Sequence, residues 1–173
     1  MAGRLDDAEP MLRKSLSMTE KYEGEDHDDL VAPLNSLGMI DVYRGKLDAG
    51  RSELARAEVI ARSRPHSNLL DQVLLNEADY NVIAGDSELA AARLKESKAL
   101  LQALHPTDSA NVWRYAVWNT VNAEVLALNG DAVDAEKTLA AAEPIIRQRF
   151  GDTGFYMLLA ERRAQFISKY KRP

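Results

Sequence analysis

The chain has 173 residues, 46% hydrophobic and 28% charged, with a formal net charge of −5 and no cysteine. That balance fits one soluble domain able to bury a core and excludes disordered and collagen-like chains. The negative charge argues against a general nucleic-acid binder, which needs concentrated Lys and Arg, and the missing thiols exclude disulfides, thiolate metal sites and cysteine nucleophiles.

Helical periodicity begins at once. Arg4 to Tyr22 reads as a helix, with Leu5, Ala8, Leu12, Leu16 and Thr19 near helical spacing. The polar loop Gly24 to Asp29 leads into a helix over Leu30 to Tyr43, with Leu34, Leu37 and Val42 on its apolar positions, and Gly45 turns the chain into another over Leu47 to Arg62. Arg64-Pro65-His66-Ser67 joins a breaker to a good N-cap, and helices over Leu69 to Ala84 and Glu88 to Leu104 follow. His105-Pro106-Thr107-Asp108-Ser109 repeats that loop. Two more helices then run from Ala110 to Leu128 and from Ala132 to Arg149, and a last one from the Phe150-Gly151-Asp152 break to Lys169. Eight helices and no strand predict an all-α fold in a single domain, 1–173. No apolar run reaches the roughly 18 residues of a membrane span, and the start lacks the basic and apolar regions of a signal peptide. A cytoplasmic protein with no membrane contact is expected.

The helices repeat in pairs. Ala116 to Ile146 is the clearest pair, two helical patterns broken at Asn129 to Asp131. Gly3, Gly45, Gly85 and Gly130 recur at intervals of 42, 40 and 45 residues. In one common register they are followed by small residues (Ala8, Gly50, Ala90, Ala135), by leucines (Leu12, Leu54, Leu94, Leu139) and by small residues again (Ser15, Ala57, Ser97, Ala142). The later three glycines are preceded by Gly38, Ala78 and Ala123. Small residues let two helix axes approach at a crossing, leucine fills the adjoining volume, and glycine ends the first helix with positive φ. Each unit is therefore helix, tight turn, helix. The chain divides into a half repeat 1–24, full repeats 28–64, 67–104 and 108–149, and a C-terminal helix 153–170.

This register resembles the tetratricopeptide repeat (TPR), whose usual period is about 34 residues. The longer period here, with His27, Pro65-His66 and His105-Pro106 in the loops between units, looks like the kinesin-light-chain type of that repeat, and Leu34 to Gly50 and Gly3 to Leu16 match it well. Gly50 departs from the usual alanine, Asp41 and Asn81 stand where a large aromatic or apolar residue is usual, and the final helix lacks the turn glycine. The resemblance implies a right-handed α-α superhelix, a solenoid of about eight antiparallel helices. Beginning on a second helix implies a fragment, or a divergent protein whose front repeats are missing, since solenoid units are stabilised by their neighbours. Bacterial arrays of this type often follow a serine/threonine kinase or regulatory domain.

By the same resemblance, first helices line a concave surface whose ligand-facing positions are counted from each turn glycine. These are Asn35, Met39 and Tyr43, with Ala32 and Val42; then Gln72, Leu75, Asp79 and Ile83, with Val82; then Thr120 and Glu124, with Val117, Ala127 and Leu128. Asn35 and Gln72 suit a peptide backbone, and Met39, Tyr43, Leu75 and Ile83 suit apolar side chains. No lysine or arginine falls on this inner face, whereas Asp79 and Glu124 make it mildly acidic, so a basic or apolar partner is expected over an acidic one.

Other clusters have plainer readings. His27, His66 and His105 recur with the repeat, too far apart to share one ion, and Glu25 to Asp29 lacks the glycine and terminal glutamate of a calcium loop. No metal or cofactor is expected. Trp113, Tyr115 and Trp118 read as packing before partner contact, and Arg162, Arg163, Lys169, Lys171 and Arg172 as a helix C-terminal face favoured by the dipole. No phosphate-cradling loop, nucleophile motif or zinc motif occurs, so no catalytic residue is named. The leading expectation is a protein- or peptide-binding scaffold. The alternatives are a sensor domain that binds a small peptide or effector and controls an attached enzyme or DNA-binding domain, and an assembly module dimerising through the exposed terminal helix.

Overall fold

Three left-handed glycines set the first level of order. Gly45, Gly85 and Gly130 have φ of 79°, 84° and 90°, a region that costs glycine nothing because it has no Cβ. Each closes a helix in the same way. The N–H groups of Lys46, Asp86 and Asp131 donate back to the carbonyls of Asp41, Asn81 and Leu126, each at 2.9 Å, the six-to-one bond of a Schellman ending. Asp86 and Asp131 then accept from the amides of Leu89 and Asp134, at 2.9 and 3.3 Å, and so start the following helices.

The computed structural model describes residues 2–64, 69–105, 107–108 and 110–170. The glycine turns make three hairpins: α2 (Val31–Tyr43) with α3 (Leu47–Arg62), α4 (Leu70–Ala84) with α5 (Ser87–Leu104), and α6 (Val112–Leu128) with α7 (Ala132–Phe150). Helix α1 (Ala2–Glu23) precedes them and α8 (Phe155–Ser168) follows. No strand occurs among the described residues, and the all-α expectation holds. Helix ends shift for local reasons. Asp108 accepts from the amides of Ala110 and Asn111, both at 3.0 Å, and holds them in a turn before α6. Leu30 closes a one-turn 3-10 helix, Asp28–Leu30, capped by His27 Nδ1 accepting from Asp29 N–H at 3.3 Å. Ser67, the expected cap before α4, lies outside the described residues, as does His66.

The small-residue columns lie at the hairpin crossings: Gly38, Ala78 and Ala123 are buried, and so are Gly50, Ala90 and Ala135. The first crossing is tightest. A Cβ on Gly50 would lie 2.6 Å from Val42 Cγ2 and 2.7 Å from the Gly38 carbonyl oxygen, so backbone contact explains why glycine replaces the usual alanine. The other departures are polar and paired: Asp41 accepts from Lys46 Nζ at 3.2 Å, and Asn81 Nδ2 donates to the Glu77 carbonyl at 2.7 Å.

Each hairpin meets the next through its second helix: α3 packs on α4, α5 on α6 and α7 on α8, while α2, α4, α6 and α8 touch in succession as one row. Buried apolar residues fill these seams, Leu34, Ile60 and Val73 in one and Leu75, Leu94, Val121, Ile146 and Met157 in another. Helix α1 is fastened differently. Arg44 binds Glu9 and Asp6, Arg13 bonds Glu9 within α1 and faces Asp41 and Glu53 across to α2 and α3 at 3.7 and 3.6 Å, and Arg56 binds Glu20 at 2.6 Å. The hydrogen bonds from Arg44 and Arg13 hold the Glu9 carboxyl down at about 2. Met18 is 51% exposed, whereas its counterpart Ile60 is 2% exposed, because no helix among the described residues packs on that face of α1.

A second charge cluster joins α3, α4 and α5. Arg93 forks onto both Glu58 oxygens at 2.8 and 3.2 Å, and Arg62 bonds Glu58 at 2.7 Å. Burial, and then the neighbouring Glu58, push the Glu77 carboxyl up from 4.5 to about 8. Between those values the folded chain keeps a proton that the unfolded chain has released, so this group's contribution to stability falls as pH rises.

Gly50→Ala should cost roughly 1 to 3 kcal/mol, as should Ala123→Leu at the third crossing, because both overpack a filled contact; urea unfolding reads the loss, and neutral results would mean the crossings are misassigned. Glu77→Gln should gain stability relative to the parent as pH climbs from 4.5 towards 8, measured as the difference in Tm; a constant difference would place the proton elsewhere.

Candidate functional site

The row α2, α4, α6 and α8 curls until its ends meet. Tyr43 at the end of α2 lies against Phe155 at the start of α8, ring centroids 6.4 Å apart, and Gln72 Nε2 on α4 reaches the Tyr156 hydroxyl at 3.4 Å. Between them lies a partly open cavity of about 660 Å³, within the usual range for ligand sites, roughly 300 to 1,000 Å³. Helix α1 closes one side with Leu5, Ala8, Met11 and Leu12, while α6 supplies Val117 and Val121.

Most of the expected ligand-facing residues are brought together here. Asn35, Met39, Tyr43, Gln72 and Leu75 all line the cavity. Asn35 Oδ1 accepts from Asn76 Nδ2 at 3.0 Å. That leaves the Asn35 N–H groups and the amide oxygens of Asn76 and Gln72 without partners among the described residues. Ile83 lies outside the cavity, half-buried against Met39, Val42 and Leu54.

Asp79, Thr120 and Glu124 sit deeper, all at most 1% exposed. Arg163 covers them from α8. Its Nη2 donates to Asp79 Oδ2 at 2.7 Å, its Nε to Glu124 Oε2 at 3.0 Å and its Nη1 to Thr120 Oγ1 at 2.5 Å. Tyr43 donates to the same Asp79 oxygen at 2.5 Å. Arg162 lies 4.9 Å from the centre of the Tyr43 ring and faces Asp79 Oδ1 and Glu124 Oε1 at 3.7 and 3.8 Å. Burial works against the charge on Arg163, but Asp79 and Glu124 raise its pKa above the ordinary value. Burial pushes the Glu124 carboxyl upward while Arg163 pulls it back. Burial, and then the Asp79 charge, raise the Tyr43 hydroxyl well above 10.0 and keep it a donor.

This corrects the expectation that the inner face carries no cation. Arg163, 3% exposed, lines the cavity, and it and Arg162 act as the row's counter-ions rather than as a solvated helix end. Lys169 is exposed, and Lys171 and Arg172 lie outside the described residues. A signal for Arg163 was present in the sequence. Counting back from Lys169, where α8 ends, places Tyr156, Leu159 and Arg163 in the columns that Gln72, Leu75 and Asp79 occupy when counted from Gly85. The missing turn glycine hid that register.

The remaining clusters pack internally. Trp118 Nε1 donates to the Leu94 carbonyl at 3.2 Å, the Tyr115 hydroxyl to the His105 carbonyl at 2.7 Å, and Trp113 packs edge-on against Phe150 with centroids 5.5 Å apart. Among the described residues no group of histidines and carboxylates is placed to hold a metal ion, and no helix is long and apolar enough to cross a membrane. The sequence matches no protein-family model and no curated protein.

Arg163→Met should cost about 3 to 5 kcal/mol, because it strands two buried carboxylates. Adding Glu124→Gln should recover part of that loss. Urea unfolding at pH 7 checks both, and additive losses would argue against a shared network.

Proposed function

We propose that this chain is a peptide-binding module of the TPR type, and that the cavity between α1, α2, α4, α6 and α8 is its binding site. The single observation that carries this reading is the convergence of Asn35, Met39, Tyr43, Gln72 and Leu75 on one cavity of about 660 Å³. The resemblance, counted from the turn glycines, implied that they share a face. Their chemistry suits a short peptide: apolar walls for side chains, with amides whose unused donors and acceptors match a peptide backbone. The helix contacts support the superhelical part of the proposal, since the backbones of successive hairpins pack on one another in chain order and the first helices form one row. Binding rather than catalysis is the proposed activity, in a cytoplasmic setting and with neither nucleic acid nor membrane as partner.

One observation favours the sensor reading over an extended-peptide scaffold. The Tyr43–Phe155 and Gln72–Tyr156 contacts close the row across its hollow. A compact ligand fits within that closure, whereas a long strand laid along the row would have to part it. A ligand held by α1, α2, α4 and α8 together would favour one arrangement of these helices. It could thereby bias whatever domain is attached, to the extent that its affinity for the two arrangements differs. The unpartnered outer face of α1 remains the surface for the assembly reading.

Asn35→Ala combined with Gln72→Ala should weaken peptides selected on the intact chain by about tenfold or more while leaving helicity unchanged. Calorimetry with circular dichroism separates the two. Equal loss of binding and helicity would make these residues structural.

A further inference from the structure

If the cavity is the peptide site proposed above, its floor decides which peptides enter. Asp79 and Glu124 lie buried directly behind Arg163, which lines the cavity; without the arginines they would give the site an acidic floor inviting lysine or arginine. In the fold they are already engaged. Arg163 holds Asp79 Oδ2 and Glu124 Oε2 at 2.7 and 3.0 Å, and Arg162 faces the other two oxygens at 3.7 and 3.8 Å. Two carboxyl groups thus face two guanidiniums, and with burial drawing Glu124 up to about 7 the cluster carries no net negative charge. A ligand cation would first meet Arg163 in the cavity wall. Behind it both carboxylates are already ion-paired, and their remaining oxygens, Asp79 Oδ1 and Glu124 Oε1, are buried without a hydrogen bond among the described residues and faced by Arg162. A ligand anion would have to compete with Asp79, Glu124 and Thr120, which occupy three nitrogens of Arg163. Either charge would be desolvated without a matching partner, which is costly.

The uncommitted surface is neutral. Met39, Leu75, Val117 and Leu159 present apolar groups, and Asn35, Gln72 and Asn76 present amides. We infer that the site selects short, uncharged peptides with apolar side chains, and that Arg162 and Arg163 set this selectivity by neutralising the floor. Arg163 contributes as the buried partner that keeps Asp79 and Glu124 occupied. Arg162 is the adjustable one, because its side chain keeps 29% exposure and its Nε has no hydrogen-bond partner.

The test is a library of acetylated, amidated hexapeptides varied at every position among leucine, phenylalanine, asparagine, lysine and glutamate, read by fluorescence polarisation on the intact chain. Selected sequences should be uncharged, and replacing their principal apolar residue by lysine or glutamate should weaken binding about tenfold or more. Arg162→Ala removes the cation that faces Asp79 Oδ1 and Glu124 Oε1 and should shift selection towards lysine. Arg162→Gln, which keeps more of the side chain's bulk, should give the same shift even if the alanine variant loses helicity. Lysine peptides that bind the unaltered chain as tightly as uncharged ones would overturn this inference and leave the peptide site standing. A library yielding no binder of any charge would overturn both.

Discussion

A guanidinium in the interior of a helical protein is tolerated only where its charge is met on the spot, and Arg163 is met on three sides. Asp79 comes from α4, Thr120 and Glu124 from α6, and Tyr43 of α2 joins through the same Asp79 oxygen. One side chain of α8 thereby ties together residues up to 84 positions away. The distances, at 2.5 to 3.0 Å, are those of charge-assisted hydrogen bonds. Apolar seams bring the helices side by side, but they are non-directional. The directional contacts of Arg163 set how α2, α4, α6 and α8 stand about the cavity.

The hairpins obey a different constraint, one of volume. At each crossing the available space is that of a hydrogen or a methyl group, and at the first it is a hydrogen on both sides, Gly38 against Gly50. Helix α1 has the same columns in its sequence but no first helix to press against. Ser15 and Met18 therefore stay exposed where Ala57 and Ile60 are buried. Ion pairs of Arg44 with Glu9, of Arg13 with Asp41 and Glu53, and of Arg56 with Glu20 join α1 to the first hairpin. Because α1 also walls the cavity, that side is held by ion pairs with a few apolar contacts from Leu5 and Leu16, whereas the others are held by packing and the buried Arg163 network. Exposed ion pairs are weak individually and sensitive to salt, so this is the wall that can yield most readily to a ligand.

The same geometry explains why binding is the natural reading of this molecule. Apolar walls with a few amides lose little on desolvation when an apolar ligand enters. Rigid helices spare the ligand the cost of ordering its site. The charged group in the cavity wall, Arg163, is already engaged by Asp79, Glu124 and Thr120, so in the proposed site selectivity would come from shape and hydrogen bonding.

The sequence by itself determined the repeat. Glycine at positive φ, small residues at a crossing and leucine beside them are local demands, written at fixed spacing, and they made the helices, the hairpins and the shared face of Asn35, Gln72 and Leu75 legible. It also located Asp79, Thr120 and Glu124 on the inner row. It could not say what faced them, because their partner sits on α8, in a helix without the turn glycine from which positions are counted. Only the tertiary structure decided that the acidic face is met by arginines and that the row curls about a partly open cavity. Both outcomes depend on side chains far apart in the chain meeting in space. Periodicity records which face a residue occupies, not what packs against it.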